Sequence, residues 1–222
     1  MTPRELLGSA IVPGGGEELR LFRRGDDYMI VAGRNELMSS RMSGSEEALA
    51  VMTCARLGRL AAPRLLIGGY GMGYTLRAAL GALSPRGKIT IVELVPEIVT
   101  WAKSFMAEMT GGCLDDPRVE LVIGDVADAF RTGQYDAILL DVDNGPDGLT
   151  RGSNNRLYSP HGLGAAKAAL TPGGILAIWS AAPDRAFTRA LGEAGFAVDE
   201  VSVRARANGK GAKHVIWFAA KK

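Results

Sequence analysis

Short apolar segments alternate with helix-like segments from about residue 63 onward, and this alternation constrains the fold more than any other feature. Residues 64–68, 88–94 and 135–141 are nearly continuous runs of aliphatic and β-branched residues, as expected for strands that are covered on both faces. Parallel strands need a crossover of a dozen or more residues, which a helix supplies. The pattern therefore predicts an α/β fold with a mainly parallel sheet between helices.

Seven strands are predicted for this sheet. They are residues 64–68, 88–94, 118–124, 135–141, 175–179, 196–204 and 214–220, and the predicted helices are 45–59, 75–83, 96–109, 126–130, 163–170 and 184–194. The loop between the last two strands is too short for a crossover helix, so these strands should be antiparallel. We therefore predict a Rossmann-like, doubly wound seven-stranded sheet of the methyltransferase type, with its last strand antiparallel.

The N-terminal part of the chain has a different pattern. Polar and apolar residues alternate over 18–23, Gly25-Asp26-Asp27 is typical of a turn, and 28–31 resumes a strand. Residues 1–44 are therefore predicted to form a small N-terminal β-hairpin extension, and residues 45–222 the main domain. Ser45 is expected to cap the helix that opens the main domain.

Composition excludes several classes of protein. The 222 residues carry a formal net charge of +2, which is too balanced to indicate nucleic-acid binding. Cys54 and Cys113 are far apart and are interpreted as reduced thiols of a cytoplasmic protein. The chain has only two histidines, which excludes a His-rich metal site. The N-terminus does not read as a signal peptide, and there is no apolar run of about 18 residues, so no membrane span is expected.

A glycine-rich turn follows the first predicted strand of the main sheet. It reads Gly69-Tyr70-Gly71-Met72-Gly73; glycines let the backbone approach a ligand closely, and the following helix presents free N–H groups. Glu93, Asp125 and Asp141 lie at the ends of three other strands. All four features are predicted at the carboxyl edge of one sheet, where open α/β folds bind ligands.

The strand-end acids indicate a nucleoside ligand. Glu93 lies 20 residues after Gly73, where an acid accepts hydrogen bonds from both ribose hydroxyls, and Asp125 can accept from the adenine amino group. We therefore predict an adenosyl-sulfonium of the S-adenosylmethionine type. A dinucleotide oxidoreductase would use the same turn, but the remaining chain is short for its second half. A metal-dependent O-methyltransferase would need an Asp-Asn pair where residues 179–183 read WSAAP, so no metal is expected.

Three stretches match the pattern of one known family. Residues 65–77 read LLIGGYGMGYTLR, residues 135–143 read YDAILLDVD, and Leu157-Tyr158-Ser159 precedes a segment reading LTPGGIL at 170–176. On these residues the chain resembles the spermidine synthase family, within the class I S-adenosylmethionine-dependent methyltransferase superfamily, loosely from about residue 18 to 180. The resemblance implies a transferase that moves an alkyl group, methyl or aminopropyl, to a small acceptor, an amine as in polyamine metabolism.

The chain departs from the family at the expected amine pocket. Met72 stands where the family's turn normally has an aspartate that holds the aminopropyl amine, and Ser45-Glu46-Glu47 does not match the family's Tyr-His/Gln-Glu segment. The second aspartate of the family's Asp-x-x-Asp motif is displaced to Asp143. From Met72 we expect S-adenosylmethionine to bind at least as well as its decarboxylated form.

The predicted site follows from the strand ends and the resemblance. Asp141 is the predicted catalytic residue, because a carboxylate beside the reacting carbon can orient or deprotonate an amine. The predicted cofactor-binding residues are Gly69, Tyr70, Gly71, Met72, Gly73, Glu93, Leu94, Asp125, Val126 and Asp141, and the predicted substrate-binding residues are Asp143, Asn144 and Tyr158. A methyltransferase outside polyamine metabolism and a non-catalytic adenosyl-ligand-binding protein remain alternatives. A homodimer is a further open expectation.

Overall fold

The computed structural model describes residues 3–14, 17–142 and 155–222. In chain order its strands are β1 (Glu5–Ile11), β2 (Glu18–Arg24), β3 (Asp27–Ala32), β4 (Asn35–Ser39), β5 (Arg64–Gly68), β6 (Lys88–Glu93), β7 (Val119–Ile123), β8 (Tyr135–Leu140), β9 (Leu170–Ser180), β10 (Phe196–Arg204) and β11 (Lys213–Lys221). Its α-helices are α1 (Gly44–Leu57), α2 (Tyr74–Ala82), α3 (Pro96–Lys103), α4 (Ala107–Thr110), α5 (Val126–Ala129), α6 (Asn155–Tyr158), α7 (Pro160–Ala169) and α8 (Arg185–Glu193). A short 3-10 turn, Cys113–Asp115, follows α4.

The larger sheet has seven strands in the order β10-β11-β9-β8-β5-β6-β7. Strands β5 to β9 run parallel, and β11 lies antiparallel between β9 and β10. This confirms the predicted sheet with its antiparallel last strand. The chain runs outward from β5 to β7 and then returns to β8 on the other side of β5. The connections after β5 and β8 therefore diverge, and this switch point opens a crevice at the carboxyl edge of the sheet.

The two faces of this sheet bury separate apolar cores. Leu65 and Ile67 of β5 pack with α1, α2 and α3, whereas Leu66 between them packs on the opposite face with α7 and α8. Side chains alternate along a strand, so a continuous apolar run supplies both cores at once. This explains why the strand sequences lack polar alternation.

The N-terminal strands form a separate antiparallel sheet in the order β1-β2-β3-β4. The expected hairpin corresponds to β2 and β3, and β1 and β4 extend it on both sides. This sheet lies against α3 and the glycine-rich turn: the Tyr28 hydroxyl donates to the Phe105 carbonyl at 2.6 Å, and a Cβ atom on Gly8 would lie 2.7 Å from Nε1 of Trp101. The sheet therefore forms one wall of the crevice.

The helix predicted over residues 96–109 is wrong in its extent, because the chain leaves the helix after Lys103 and forms α4 only from Ala107. The Ser104 hydroxyl donates to the Thr100 carbonyl at 2.6 Å, and the Met106 N–H donates to the Trp101 carbonyl at 2.9 Å. These bonds replace the regular helical pattern locally. Over the part of the chain that the structure describes, no helix combines the length and apolarity needed to cross a membrane.

Candidate active site

An open cleft lies at the carboxyl edge of the large sheet. The strand ends form its floor, and the N-terminal sheet covers it with apolar side chains. Its lining includes Val12, Leu19, Ile30, Met38, Glu46, Gly69, Tyr70, Gly71, Met72, Tyr74, Glu93, Leu94, Ile98, Asp125, Val126, Asp141, Leu157 and Trp179. The structure thus brings most of the predicted cofactor-binding residues to one place.

The glycine-rich turn contains three residues that need a left-handed backbone. Gly69, Gly71 and Gly73 have φ of 87°, 55° and 76°. A residue with a Cβ atom adopts such a backbone conformation only at an energetic cost. A Cβ atom on Gly69 would overlap the carbonyl oxygen of Asp141, and one on Gly71 would lie 3.0 Å from the sulfur of Met38. The turn is therefore held close to both β8 and the N-terminal sheet. The ring of Tyr70 is buried, with its hydroxyl 3.5 Å from Sγ of Cys113.

Glu93 ends β6 and is almost fully buried beside this turn. Its Oε2 accepts from the Tyr70 N–H at 2.8 Å, and its Oε1 accepts from the Val95 N–H at 2.9 Å. Burial raises the pKa of Glu93, although the backbone N–H donors oppose that shift. Each carboxylate oxygen has a second lone pair that remains able to accept from a ligand hydroxyl. Glu93 therefore both fixes the turn and presents acceptors to the cleft.

Asp125 follows β7 and occupies the N-cap of α5. Its Oδ1 accepts from the Ala127 N–H at 2.9 Å, and its Oδ2 pairs with the Arg156 guanidinium at 3.0 Å. Val126 and Leu94 lie beside it in the cleft wall. The carboxylate therefore has a capping role besides the predicted adenine contact, and the two are compatible because a carboxylate accepts several hydrogen bonds.

Asp141 follows β8 directly at the switch point. Its backbone N–H donates to the Gly68 carbonyl at 2.9 Å, so strand pairing continues to the cleft floor. Its Oδ2 accepts from the Thr75 hydroxyl at 2.6 Å. Burial raises the pKa of Asp141 to about 6, against the opposing effect of the Thr75 hydrogen bond. The side chain thus combines a fixed position with a pKa near neutrality, as a general base requires.

Glu46 is a cleft residue that the sequence analysis did not select. It lies in the first turn of α1 and lines the same cleft as Asp141. Burial raises its pKa to about 7, and the charge of Asp141 adds to that rise. The sequence did hold one indication of its role, because residues 45–47 correspond in position to the family's amine-binding Tyr-His/Gln-Glu segment. Glu46 was not selected because the residue types differ. The structure shows that an acid at position 46 faces the cleft.

Ser45 does not cap α1 as predicted, because the helix begins one residue earlier, at Gly44. Its hydroxyl donates to Oε2 of Glu46 at 2.6 Å and lies 2.9 Å from Nδ1 of His214. Burial lowers the pKa of His214. A hydrogen-bonded chain therefore connects the cleft acid to a histidine on β11.

The predicted substrate-binding residues have different outcomes. The ring of Tyr158 is buried in the core on the other face of the sheet, edge-on to Phe187 with ring centroids 5.5 Å apart, and the neighbouring Leu157 lines the cleft. Asp143 and Asn144 lie outside the described residues. Trp179 also lines the cleft. Among the described residues its buried Nε1 has no hydrogen-bond partner.

Across residues 3–14, 17–142 and 155–222, no group of three or more His, Cys, Asp or Glu side chains is placed to hold a metal ion. Glu46, Glu93 and Asp141 accept from hydroxyl or backbone N–H donors, and Asp125 accepts from a backbone N–H and the Arg156 guanidinium.

Comparison with known proteins places these features in context. A family model described as "Spermine/spermidine synthase domain" matches residues 59–184. The polyamine aminopropyltransferase of Sulfolobus acidocaldarius is 34% identical over 121 residues, which cover 54% of this chain and 39% of that protein. The polyamine aminopropyltransferase of Mycobacterium tuberculosis is 29% identical over 193 residues, which cover 82% of this chain and 35% of that protein. The chain thus spans less than two fifths of the length of these curated relatives.

Solved structures share the fold. Spermidine synthase from Thermotoga maritima superposes with a TM-score of 0.76 at 18% identity, covering 98% of this chain and 73% of that one. A spermidine synthase in complex with the transition-state analogue AdoDATO gives a TM-score of 0.76 at 19% identity, covering 98% and 72%. The match includes the N-terminal sheet as well as the large sheet, because it covers nearly the whole chain.

Proposed function

The chain belongs to the spermine/spermidine synthase domain family, and on that premise we propose that it transfers an aminopropyl group from decarboxylated S-adenosylmethionine to an amine acceptor. The observation that carries the proposal is the pair of acids, Glu46 and Asp141, in the cleft beside the glycine-rich turn. The curated relatives are named polyamine aminopropyltransferases, and a polyamine is the acceptor class that such a pair would attract.

The floor of the cleft fits the adenosyl part of the donor. Gly69 and Gly71, both with a left-handed backbone, place no Cβ at their positions in the turn, and Glu93 offers carboxylate oxygens for ribose hydroxyls. Leu94 and Val126 give apolar walls for adenine, and Asp125 offers an acceptor for its amino group. When bound, the donor supplies an alkyl carbon attached to a positively charged sulfur, which is an excellent leaving group. The protein's task is then mainly to align the acceptor.

The acid pair suits a cationic tail and a cationic acceptor. Two carboxylates that share a small volume resist full ionisation together, and an ammonium group between them removes that repulsion. Opposite unit charges about 4 Å apart attract by about 4 kcal/mol at an effective dielectric constant near 20. The α-carboxylate of S-adenosylmethionine would instead add a third negative charge. Glu46 thus reverses the expectation drawn from Met72: we propose that the decarboxylated donor binds more tightly.

Asp141 is the proposed base for the acceptor. An amine attacks only through its free lone pair, so its ammonium form must first lose a proton. Asp141 has a pKa near neutrality and a position fixed by Thr75 and by strand pairing. It can therefore hold the ammonium by charge and accept the proton as the nitrogen approaches the carbon.

Calorimetric titration with three adenosyl ligands tests the proposal. We expect decarboxylated S-adenosylmethionine to bind at least tenfold more tightly than S-adenosylmethionine, a difference of about 1.4 kcal/mol, with methylthioadenosine between them. Incubation with diamines and polyamines should then give an aminopropylated product detected by mass spectrometry. Methylated product without aminopropylated product would overturn the proposal in favour of methyl transfer.

A matched pair of variants assigns the preference to the acids. Glu46→Gln should reduce the preference for the decarboxylated donor, because one negative charge leaves the pocket while the shape is kept. Asp128→Asn, on α5 with its side chain 70% exposed, makes the same chemical change outside the cleft and should leave the preference unchanged. An equal preference for the decarboxylated donor in wild type and Glu46→Gln would show that Glu46 does not distinguish the two donors.

A further inference from the structure

Ser45 joins two titratable side chains that come from distant parts of the chain. It is completely buried, its hydroxyl donates to Oε2 of Glu46 at 2.6 Å, and Nδ1 of His214 lies 2.9 Å from the same oxygen. A hydroxyl has one proton to donate and two lone pairs to accept with. Since Ser45 donates to Glu46, Nδ1 of His214 must be the donor to Ser45 in this arrangement.

Local packing fixes this chain of hydrogen bonds. The Gly44 N–H donates to the Ala205 carbonyl at 3.0 Å, and a Cβ atom on Gly44 would overlap the backbone of Arg206. The start of α1 is therefore docked on the connection between β10 and β11. The imidazole of His214 stands edge-on to the Trp179 ring, with centroids 4.9 Å apart at 80°. These contacts hold Ser45 beside both Glu46 and His214.

We propose that Ser45 and His214 form a proton exit path from Glu46 to the solvent side of β11. The proposal rests on the proposed function. An ammonium acceptor gives up one proton, its freed lone pair forms the N–C bond, and the electrons of the C–S bond leave with sulfur as a neutral thioether. Each transfer thus places one proton on Asp141, the proposed base, and this proton passes to Glu46, which lines the same cleft. Ser45 and His214 act through Glu46 and are positioning residues.

The two hydrogen bonds allow a proton to pass from Glu46 through Ser45 to His214. A protonated Glu46 can donate to Ser45, whose own proton passes to Nδ1 of a neutral His214 that carries its ring proton on Nε2, and the imidazolium then loses the Nε2 proton to water. The result is the arrangement seen in the structure, in which Ser45 donates to Glu46 and His214 donates from Nδ1. Exchange of the ring proton with water from Nδ1 back to Nε2 then resets the path. His214 is only half-buried. Its lowered pKa favours rapid release over retention of the proton.

Other charged groups around the path come from several elements. Asp141 after β8 and Glu47 on α1 both raise the pKa of Glu46, and Tyr74 on α2 lies close enough to sense its charge. On β11 the neighbour of His214 is Lys213, and Val203 pairs with His214 from β10. The pH dependence of kcat therefore reports on this group of acids together. The titration of His214 is followed separately, through its own nuclear magnetic resonance signals.

Nuclear magnetic resonance of the free protein tests the hydrogen-bond chain from Glu46 through Ser45 to His214 without turnover. The chain has two histidines, and His161 on α7 is exposed, so it serves as an internal control. We expect His214 to show an Nδ1–H tautomer. Glu46→Gln and Ser45→Ala should both change its nitrogen shifts and lower its pKa, while His161 stays unchanged. Unchanged His214 signals in both variants would overturn the path, whatever the enzyme's activity.

Kinetics test whether the path is used. His214→Gln should lower kcat about tenfold or more with KM for both substrates unchanged, and should move the acidic limb of the kcat profile against pH. Added imidazole should restore part of the rate in His214→Ala, whereas His161→Gln should match wild type. A His214→Gln enzyme with wild-type kcat and profile would refute the path. Absence of aminopropyl transfer in wild type would instead refute the proposed function. The nuclear magnetic resonance experiment would then decide whether the hydrogen-bond chain exists.

Discussion

Replacing Asp141 by Asn should stabilise the unliganded protein above about pH 6, although the residue is proposed to be catalytic. Burial raises the pKa of Asp141 from an ordinary value of 3.8 to about 6. The folded protein therefore binds a proton at this site more tightly than the unfolded chain does. Stability that is fully present below about pH 4 is lost as the pH rises through the folded pKa.

The size of the effect follows from the shift. A difference of about two pKa units corresponds to about 3 kcal/mol, because one unit is worth 1.36 kcal/mol. Asparagine stays neutral at every pH, and its carbonyl can still accept from the Thr75 hydroxyl. Loss of the Asp141 charge also lowers the pKa of Glu46, whose rise depends partly on that charge. We expect a gain of about 2–3 kcal/mol at pH 8 that falls to about 1 kcal/mol at pH 4.5, where the unfolded chain is already mostly ionised at this site.

Urea denaturation followed by circular dichroism at several pH values between 4.5 and 8 measures this difference. Asp128→Asn is the control, because its exposed carboxylate lies outside the cleft and its stability curve should run parallel to wild type. The reasoning is refuted if Asp141→Asn also runs parallel to wild type. A variant less stable than wild type at pH 8 would mean that the carboxylate is held mainly as a structural acceptor.

Three further predictions concern ligand binding and turnover. Glu93→Gln should weaken adenosyl-ligand binding at least tenfold in calorimetry, since it loses an acceptor for the ribose and leaves one backbone N–H of the turn poorly paired; unchanged affinity would contradict the ribose assignment. Gly71→Val should abolish binding, because a branched side chain at φ 55° is strained and would press on Met38; a functional variant would make the turn purely structural. Asp141→Asn should keep donor affinity within tenfold while turnover falls by about 10²–10⁴, as measured by mass spectrometry; normal turnover would make Asp141 a bystander.

The strand pattern of the large sheet could be predicted because it depends on local sequence. Buried parallel strands must be apolar on both faces, and six of the seven predicted strands match observed strands within one residue at each end. The exception is the strand predicted over 175–179, because β9 begins five residues earlier, at Leu170. The break after Lys103 depends on one hydroxyl returning to the preceding turn, and helix periodicity does not reveal that choice. Strands β1 and β4 were not predicted. Each forms by pairing with a neighbour, β1 with β2 and β4 with β3, and a local sequence pattern does not reveal such a pairing.

The grouping of the strand-end residues in one cleft was predictable for the same topological reason. Residues that follow parallel strands must meet at one edge, so Glu93, Asp125 and Asp141 could be grouped from their positions alone. The resemblance to the spermidine synthase family is confirmed by the family model. Tyr158 shows the limit, since a residue beside a cleft helix can face either the ligand or the core. Its ring faces Phe187, and no local pattern distinguishes the two directions.

Glu46 and Met72 are best understood together. The family's turn normally has an aspartate where this chain has Met72, and read from the motif alone the pocket loses its amine-binding charge. The structure supplies an acid from α1 instead, in the same cleft as Asp141. A carboxylate at position 72, added beside Glu46 and Asp141, would raise the cost of ionising all three, since like charges in a partly buried volume disfavour one another. We therefore expect the total negative charge of this group of acids, rather than the identity of one motif position, to set how strongly the cleft attracts a cation.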